Sequence, residues 1–233
     1  MPGTATKLHV LDCGSMSCDL TWLLLKPGRS IRPRADRDKP VEWYPCTTHA
    51  VVVETAEGAM LWDTSCPRDW EERWVPTGLQ EFFPYDRVTE EQYFDQRLAQ
   101  LGLGPENLDF VVFSHLHFDH AGNAKMFDRS GPRLVVNDKE KEWAFGYEGA
   151  FNGAHLKADY EGLEFETVSG DIEFLPGVSF IEAPGHTRDH GAEGGPGRRR
   201  HDDLHLRRDL HGRRLRPTAQ LWSLRRSPDG YYT

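Results

Sequence analysis

Four cysteines in 233 residues, none of them in a C-x-x-C pair, are too few for a disulfide scaffold, and free thiols are expected. No apolar run approaches the ~20 residues that a bilayer span requires, so no transmembrane segment is expected. Residues 1–7 lack a basic stretch leading into an apolar region, and the leucine-rich run at 20–25 is too short and too late for a secretory leader. The expected compartment is the cytoplasm.

The C-terminal stretch lacks more. After Asp189 the chain contains no Val, Ile, Phe, Met, Lys, Asn or Cys and shows no strand-like alternation. It is rich in arginine instead: residues 191–233 carry ten Arg against five acids, a net +5 within a chain of net charge -9, so residues 1–190 carry -14. An acidic body disfavours nonspecific contact with nucleic acid or anionic lipid, and neither nucleic acid nor membrane is an expected partner. The sequence therefore divides into an acidic body, 1–190, and an arginine-rich tail, 191–233, expected to be irregular. Three readings of the tail stand side by side. It is a basic arm for phosphate groups or a partner, a disordered extension, or the out-of-frame translation of a GC-rich gene, which accounts best for the missing residue types.

What the body does contain is an alternation of strand-like and helix-like stretches, the pattern of a mixed α/β domain. Residues 49–54 and 59–62 read as strands joined by a tight Glu57-Gly58 connection. Residues 90–101 read as a helix with Phe94, Leu98 and Leu101 on one face, stopped by the segment 102–105. Residues 108–113 (LDFVVF), 134–136 and 177–181 read as further strands, and Asp138 reads as the cap of a helix over 139–145.

Directly after LDFVVF comes Ser114-His115-Leu116-His117-Phe118-Asp119-His120-Ala121-Gly122. Three imidazoles and a carboxylate within six residues are the ligand types of a hydrolytic zinc site, and a loop at the end of a buried strand is where a scaffold presents such ligands rigidly. A spacing of two lets His115 and His117 point the same way from an extended chain, with Asp119 and His120 in the turn that follows. Two adjacent metals are within their reach. His186, in APGHT after a strand, is a further ligand by type and position. His190 reads as a solvated loop histidine. Asp63, at a strand end in LWDT, has two readings: a turn cap, or a carboxylate that orients a ligand histidine.

The pattern HLHFDHAGN, the upstream LWDT and the downstream APGHT resemble the metallo-β-lactamase superfamily. The stretches TWLLLKPGR, LWDTSCPRDW and GAHLKADYEGLEF are similar to N-acyl-homoserine lactonases, and the resemblance covers about residues 8–186. It implies an α/β fold, the αββα sandwich, with metals at the edge between its sheets. It also implies that His115, His117 and His186 hold one Zn2+, that Asp119 and His120 hold part of a second, and that Asp119 serves catalytically by passing a proton to the leaving alkoxide. The implied reaction is hydrolytic opening of an acyl-homoserine lactone ring, the chemistry of quorum quenching, with a small lactone as the partner. Met16 and Trp22 fall where relatives line the acyl-chain groove, against a plainer reading as core.

A complete site of this family also has an aspartate bridging the metals beyond His186 and a last histidine further on. Asp209 lies near the expected distance, but Arg207 and Arg208 before it suit a buried strand end poorly. His201, His205 and His211 would serve only if the tail folded over the site. The expectation is thus a sandwich incomplete at its C-terminus, with one tightly held zinc and impaired turnover. Alternatives within the fold are a hydrolase for a different lactone or a thioesterase like glyoxalase II. A metal-binding pseudoenzyme is a third, and a nucleic-acid-directed role is the alternative from another class.

Overall fold

A computed structural model describes residues 7–19, 34–36, 38–40, 42–128, 131–183, 186–187 and 204–208. The described elements begin with two long strands, β1 (Lys7–Asp19) and β2 (Trp43–Thr55), with a 3-10 turn at Arg34–Asp36 between them, and continue with β3 (Gly58–Trp62). Short helices α1 (Trp70–Arg73) and α2 (Leu79–Phe82) precede α3 (Phe94–Gln100). Then come β4 (Phe110–Val112), β5 (Arg133–Asn137), α4 (Asp138–Gly146), the small strands β6 (Phe151–Asn152) and β7 (His155–Leu156), and α5 (Lys157–Tyr160). Strands β8 (Phe165–Val168), β9 (Ile172–Leu175), β10 (Val178–Glu182) and β11 (Leu204–Arg208) complete the described elements.

The main sheet has the order β1-β2-β3-β4-β5-β8. Its first three strands pair antiparallel, and β3, β4, β5 and β8 pair parallel. Strands buried on both faces read as continuous apolar runs, which is why Val51, Val52 and Val53 stand together without polar interruption. The two faces separate by alternation. Val52, Leu61, Val111, Leu134 and Val136 face a core shared with Phe94, Leu98, Ala144 and Tyr160 of the helices. Val51, Val53, Met60, Trp62, Val112 and Val135 face Leu175, Val178 and Phe180 of the three-stranded sheet β11-β10-β9. Trp62 and Phe180 close that second interface with ring centroids 5.4 Å apart. The described residues thus supply helix, sheet and sheet, three layers of an αββα sandwich.

Several local expectations change. The helix expected over 90–101 is broken: Glu90–Gln92 is a single 3-10 turn, Tyr93 is extended at φ -56 and ψ 142, and α3 starts only at Phe94. Leu101 lies past the helix and is 36% exposed, so only Phe94 and Leu98 carry the buried face. Gly102, at φ +70, ends the segment as expected. The cap of α4 is Asn137 and not Asp138, because the Asn137 side chain accepts from the backbone N–H of Lys139 and of Glu140. In the tail expected to be irregular, Leu204–Arg208 forms a strand in antiparallel register with β10, Phe180 opposite Leu206. Trp22, His190, His201, Asp209 and His211 lie outside the described residues, and so do the side-chain surroundings of His205.

Candidate metal centre

The centre forms at the carboxyl ends of β3 and β4, where an α/β sheet offers its crevice. Asp63 follows β3 in the left-handed region at φ 58, as does Ser65 at φ 56. Non-glycine residues held there mark a turn fixed by its surroundings, and aspartate is among the residues that tolerate it. The surroundings are specific. The Asp63 N–H donates to the Val112 carbonyl at 2.9 Å, and the Thr64 N–H and Oγ1 both donate to the His120 carbonyl, at 2.7 and 2.9 Å. Asn123 Nδ2 donates to the carbonyls of Thr64 and Cys66 at 2.7 and 2.8 Å. The loop after β3 and the loop after β4 are therefore stitched into one body.

Two overlapping triads of ligand atoms result, His115/His117/His186 and His115/Asp119/His120, each with its atoms within 4.8 Å of one another. Ring centroids lie 4.4 Å apart for His115 and His117, 4.8 Å for His115 and His186, 4.9 Å for His117 and His186, and 4.0 Å for His115 and His120. His115 is buried, His117, Asp119 and His120 are half-buried, and His186 is exposed at the mouth.

Behind these groups lies a ring of oriented partners. Asp63 Oδ1 accepts from the Ser114 N–H at 2.7 Å, and its Oδ2 accepts from Ser114 Oγ at 2.8 Å and pairs with His120 Nδ1 at 2.9 Å. Ser114 Oγ is also 2.9 Å from His115 Nδ1. Under the loop, the fully buried Glu140 Oε1 accepts from the Leu116 N–H at 2.8 Å and pairs with His155 Nε2 at 2.8 Å. His155 in turn packs its ring 4.5 Å from that of His117 and bridges it through the backbone.

The electrostatics separate the two sides. Burial, with the neighbouring imidazoles repelling any added charge, drives His115 and His117 far below the usual histidine range and keeps them neutral, the metal-binding form. Burial also disfavours charge on His120, but the carboxylates of Asp119 and Asp63 on either side outweigh it and raise that ring well above the usual range. Burial pushes the Asp119 carboxyl upward, and the facing His120, with Nε2 3.4 Å from Oδ2, overrides it and holds the carboxylate ionised.

Comparison with known proteins agrees with this geometry. Residues 43–200 match the family model of the metallo-beta-lactamase superfamily. An N-acyl homoserine lactonase of Bacillus cereus is 32% identical over 192 residues, covering 80% of this chain and 69% of the relative. The N-acyl homoserine lactonase AiiB of Agrobacterium fabrum is 29% identical over 193 residues, covering 75% and 66%. A solved quorum-quenching N-acyl homoserine lactone hydrolase superposes with a TM-score of 0.63 at 25% identity, covering 88% of this chain and 69% of that one. The chain belongs to the metallo-beta-lactamase superfamily, in its N-acyl homoserine lactonase branch.

A lactonase-branch site calls for metal, and the donors present fit one. His115 Nε2 is buried with no hydrogen-bond partner while Nδ1 is engaged by Ser114. A lone pair shut away from water and left without a proton is costly unless a cation takes it. The five residues expected as ligands, His115, His117, Asp119, His120 and His186, are all brought together. Asp63 makes the contacts of both its readings, one oxygen accepting from the Ser114 N–H and the other pairing with His120 Nδ1. Met16 is 4% exposed and packs among Cys18, Trp70, Trp74, Phe83, Tyr85 and Phe118, so its packing is that of core. Sequence reading missed Glu140 and His155, whose only signal was His155 standing inside the lactonase-like stretch GAHLKADYEGLEF.

Proposed function

We propose that the chain is a zinc-dependent hydrolase that opens the ring of N-acyl-homoserine lactones. The observation that carries this reading is the pair of triads sharing His115, in a chain 32% identical to an N-acyl homoserine lactonase.

His115, His117 and His186 would hold the zinc, which when bound would supply Lewis acidity to polarise a carbonyl and acidify a water. The rest falls to the chain's own groups. Neutral His115 and His117 present lone pairs without having to shed protons, and the Ser114 and Glu140–His155 contacts hold the loop carrying them. Hydrolysis adds water across the acyl–oxygen bond: the hydroxyl joins the acyl carbon, the ring C–O bond breaks, and the remaining proton ends on the departing alkoxide. Asp119, ionised and facing His120 at the edge of the cluster, is the group that carries this proton.

The donor arithmetic supports one tight metal. His115 has a single free nitrogen, so when it completes the first triad only Asp119 and His120 remain for a second ion among the described residues. A four-coordinate site needs more. Asp209 remains a proposed bridging ligand outside the described residues.

The test is turnover of a hexanoyl-homoserine lactone by zinc-loaded protein, followed by acid release at constant pH, beside a thioester of similar chain length. Zinc-dependent acid release from the lactone above the thioester supports the proposal. Bound zinc with no release from either makes the chain a metal-binding pseudoenzyme, and preference for the thioester moves it to another hydrolase of the fold.

A further inference from the structure

The four cysteines are free thiols, and two of them meet. Strand register sets Met16 opposite Cys46 and Cys18 opposite Tyr44, so Cys18 and Cys46 are diagonal neighbours across β1 and β2. Positions 16 and 18 share a face by the two-residue period, which turns both thiols into the same apolar cluster, beside Met16, Cys66, Trp74 and Phe118. Their Sγ atoms lie 2.9 Å apart. A disulfide needs ~2.05 Å, so closing the contact asks for a movement of about 0.9 Å.

The other two thiols are placed differently. Cys13 is fully buried and its Sγ is directed to the Leu11 carbonyl at 3.5 Å, and burial raises it to about 11. Cys66 is 1% exposed, and burial pushes it far above the usual thiol range. Cys46 alone is half-buried and within reach of a small solute. The contact between the paired sulfurs lowers Cys18 and raises Cys46 together, because a proton held between two touching sulfurs favours a thiolate on one of them and a thiol on the other. The pair therefore combines an approachable sulfur with an ionisable partner in contact, the arrangement of a redox-sensitive dithiol.

We propose that Cys18 and Cys46 form a reversible disulfide under peroxide or disulfide oxidants. With a hydroperoxide, one thiolate takes oxygen to give a sulfenic acid and the O–O bond breaks to release water or alcohol. The second thiol then attacks the sulfenic sulfur, the S–S bond forms and a second water leaves. Two thiols lose two electrons and two protons, and the peroxide is reduced. A dithiol reductant reverses the bond by exchange. The bridge ties β1 to β2 next to Phe118, which sits between the ligands His117 and Asp119. The proposal stands apart from the identity of the hydrolytic substrate.

The test uses the full zinc-loaded chain. It is treated with a few equivalents of hydrogen peroxide, alkylated in the native state, digested without reduction and mapped by mass spectrometry, with and without a final dithiothreitol step. The expected result is a linked peptide joining Cys18 and Cys46, lighter by two hydrogens than its components and lost on reduction, while Cys13 and Cys66 stay thiols. Three outcomes would overturn the proposal: both cysteines unchanged at peroxide levels that oxidise exposed methionine, Cys46 oxidised to sulfinic acid with Cys18 still a thiol, or a bridge to Cys66 in place of Cys18. Wild-type protein suffices, so the reading does not depend on a variant that folds.

Discussion

Asp63 Oδ2 lies 2.9 Å from His120 Nδ1, and the same carboxylate receives the N–H and hydroxyl of Ser114. One side chain thus fixes both the His120 ring and the first residue of the His-rich loop. Replacing it removes both restraints. Asp63→Ala should weaken metal retention and turnover by about 10- to 100-fold, the usual range for a carboxylate behind a ligand histidine. Zinc titration with a competing chelator reads the first and lactone turnover the second. Unchanged zinc affinity in a folded Asp63→Ala protein would show that Asp63 merely shapes the turn.

Metal removal should act on stability as well as on activity. An ion that binds the folded ligand set and not the open chain stabilises by mass action. Exhaustive chelation is expected to abolish turnover and lower the melting temperature. After zinc is restored and the protein dialysed, metal analysis should find one zinc retained per chain, because His115 serves one ion at a time. Two zincs surviving dialysis would mean that residues outside the described segments complete a second tight site.

Gly122 closes the ligand loop where it crosses the turn after β3. A Cβ there would stand 2.4 Å from Pro67 Cδ and 2.6 Å from the Ser65 carbonyl oxygen, and the Gly122 N–H donates to that same carbonyl at 3.0 Å. Backbone and a proline ring cannot give way cheaply. Gly122→Ala should destabilise by about 1–3 kcal/mol, the range for overpacking, with loss of zinc affinity because His120 is two residues away. Urea unfolding of the metal-free protein isolates the packing part. An unchanged midpoint would show that the two loops separate freely.

How much of this was written in the sequence follows from how local each feature is. The ligand loop was legible because four donors fall within six residues directly after an apolar strand, and local spacing alone puts them together. His186 was legible only through that first motif. Glu140 was not, since it sits in the charged run DKEKEW, which reads as a solvated helix face. In the fold it is 0% exposed, because the first turn of α4 points under the loop and meets His155 of β7 there. No periodicity encodes a contact between a helix start and a two-residue strand fifteen positions on. The same holds for the broken helix at Tyr93: its apolar spacing was correct for Phe94 and Leu98, and a capping box, Thr89 with Gln92, closes a separate turn before it. The composition break after Asp189 was plain, yet five residues beyond it pair with β10, a pairing their arginine content gave no reason to expect.

The last prediction concerns Asp159, which is 1% exposed and faces Arg73 Nη1 at 3.1 Å. Burial raises its carboxyl from 3.8 to about 7, against the opposing pull of Arg73, with Asp69 adding to the rise and Lys125 reducing it. A folded-state value above the unfolded one means that the folded chain holds this proton more tightly. Its contribution to stability is therefore greatest below about pH 4 and falls as the pH rises to about 7, where the deficit levels off at something on the order of 4 kcal/mol. Asp159→Asn keeps an oxygen for Arg73 and removes the titration. The variant should match wild type near pH 4 and exceed it increasingly up to pH 7, measured as the difference between their urea midpoints in metal-free protein. The comparison cancels the histidines, which titrate alike in both. Parallel stability curves across that window would show that the Arg73 pair already holds Asp159 ionised, and a variant that loses ground as pH rises would show that the ion pair stabilises the fold.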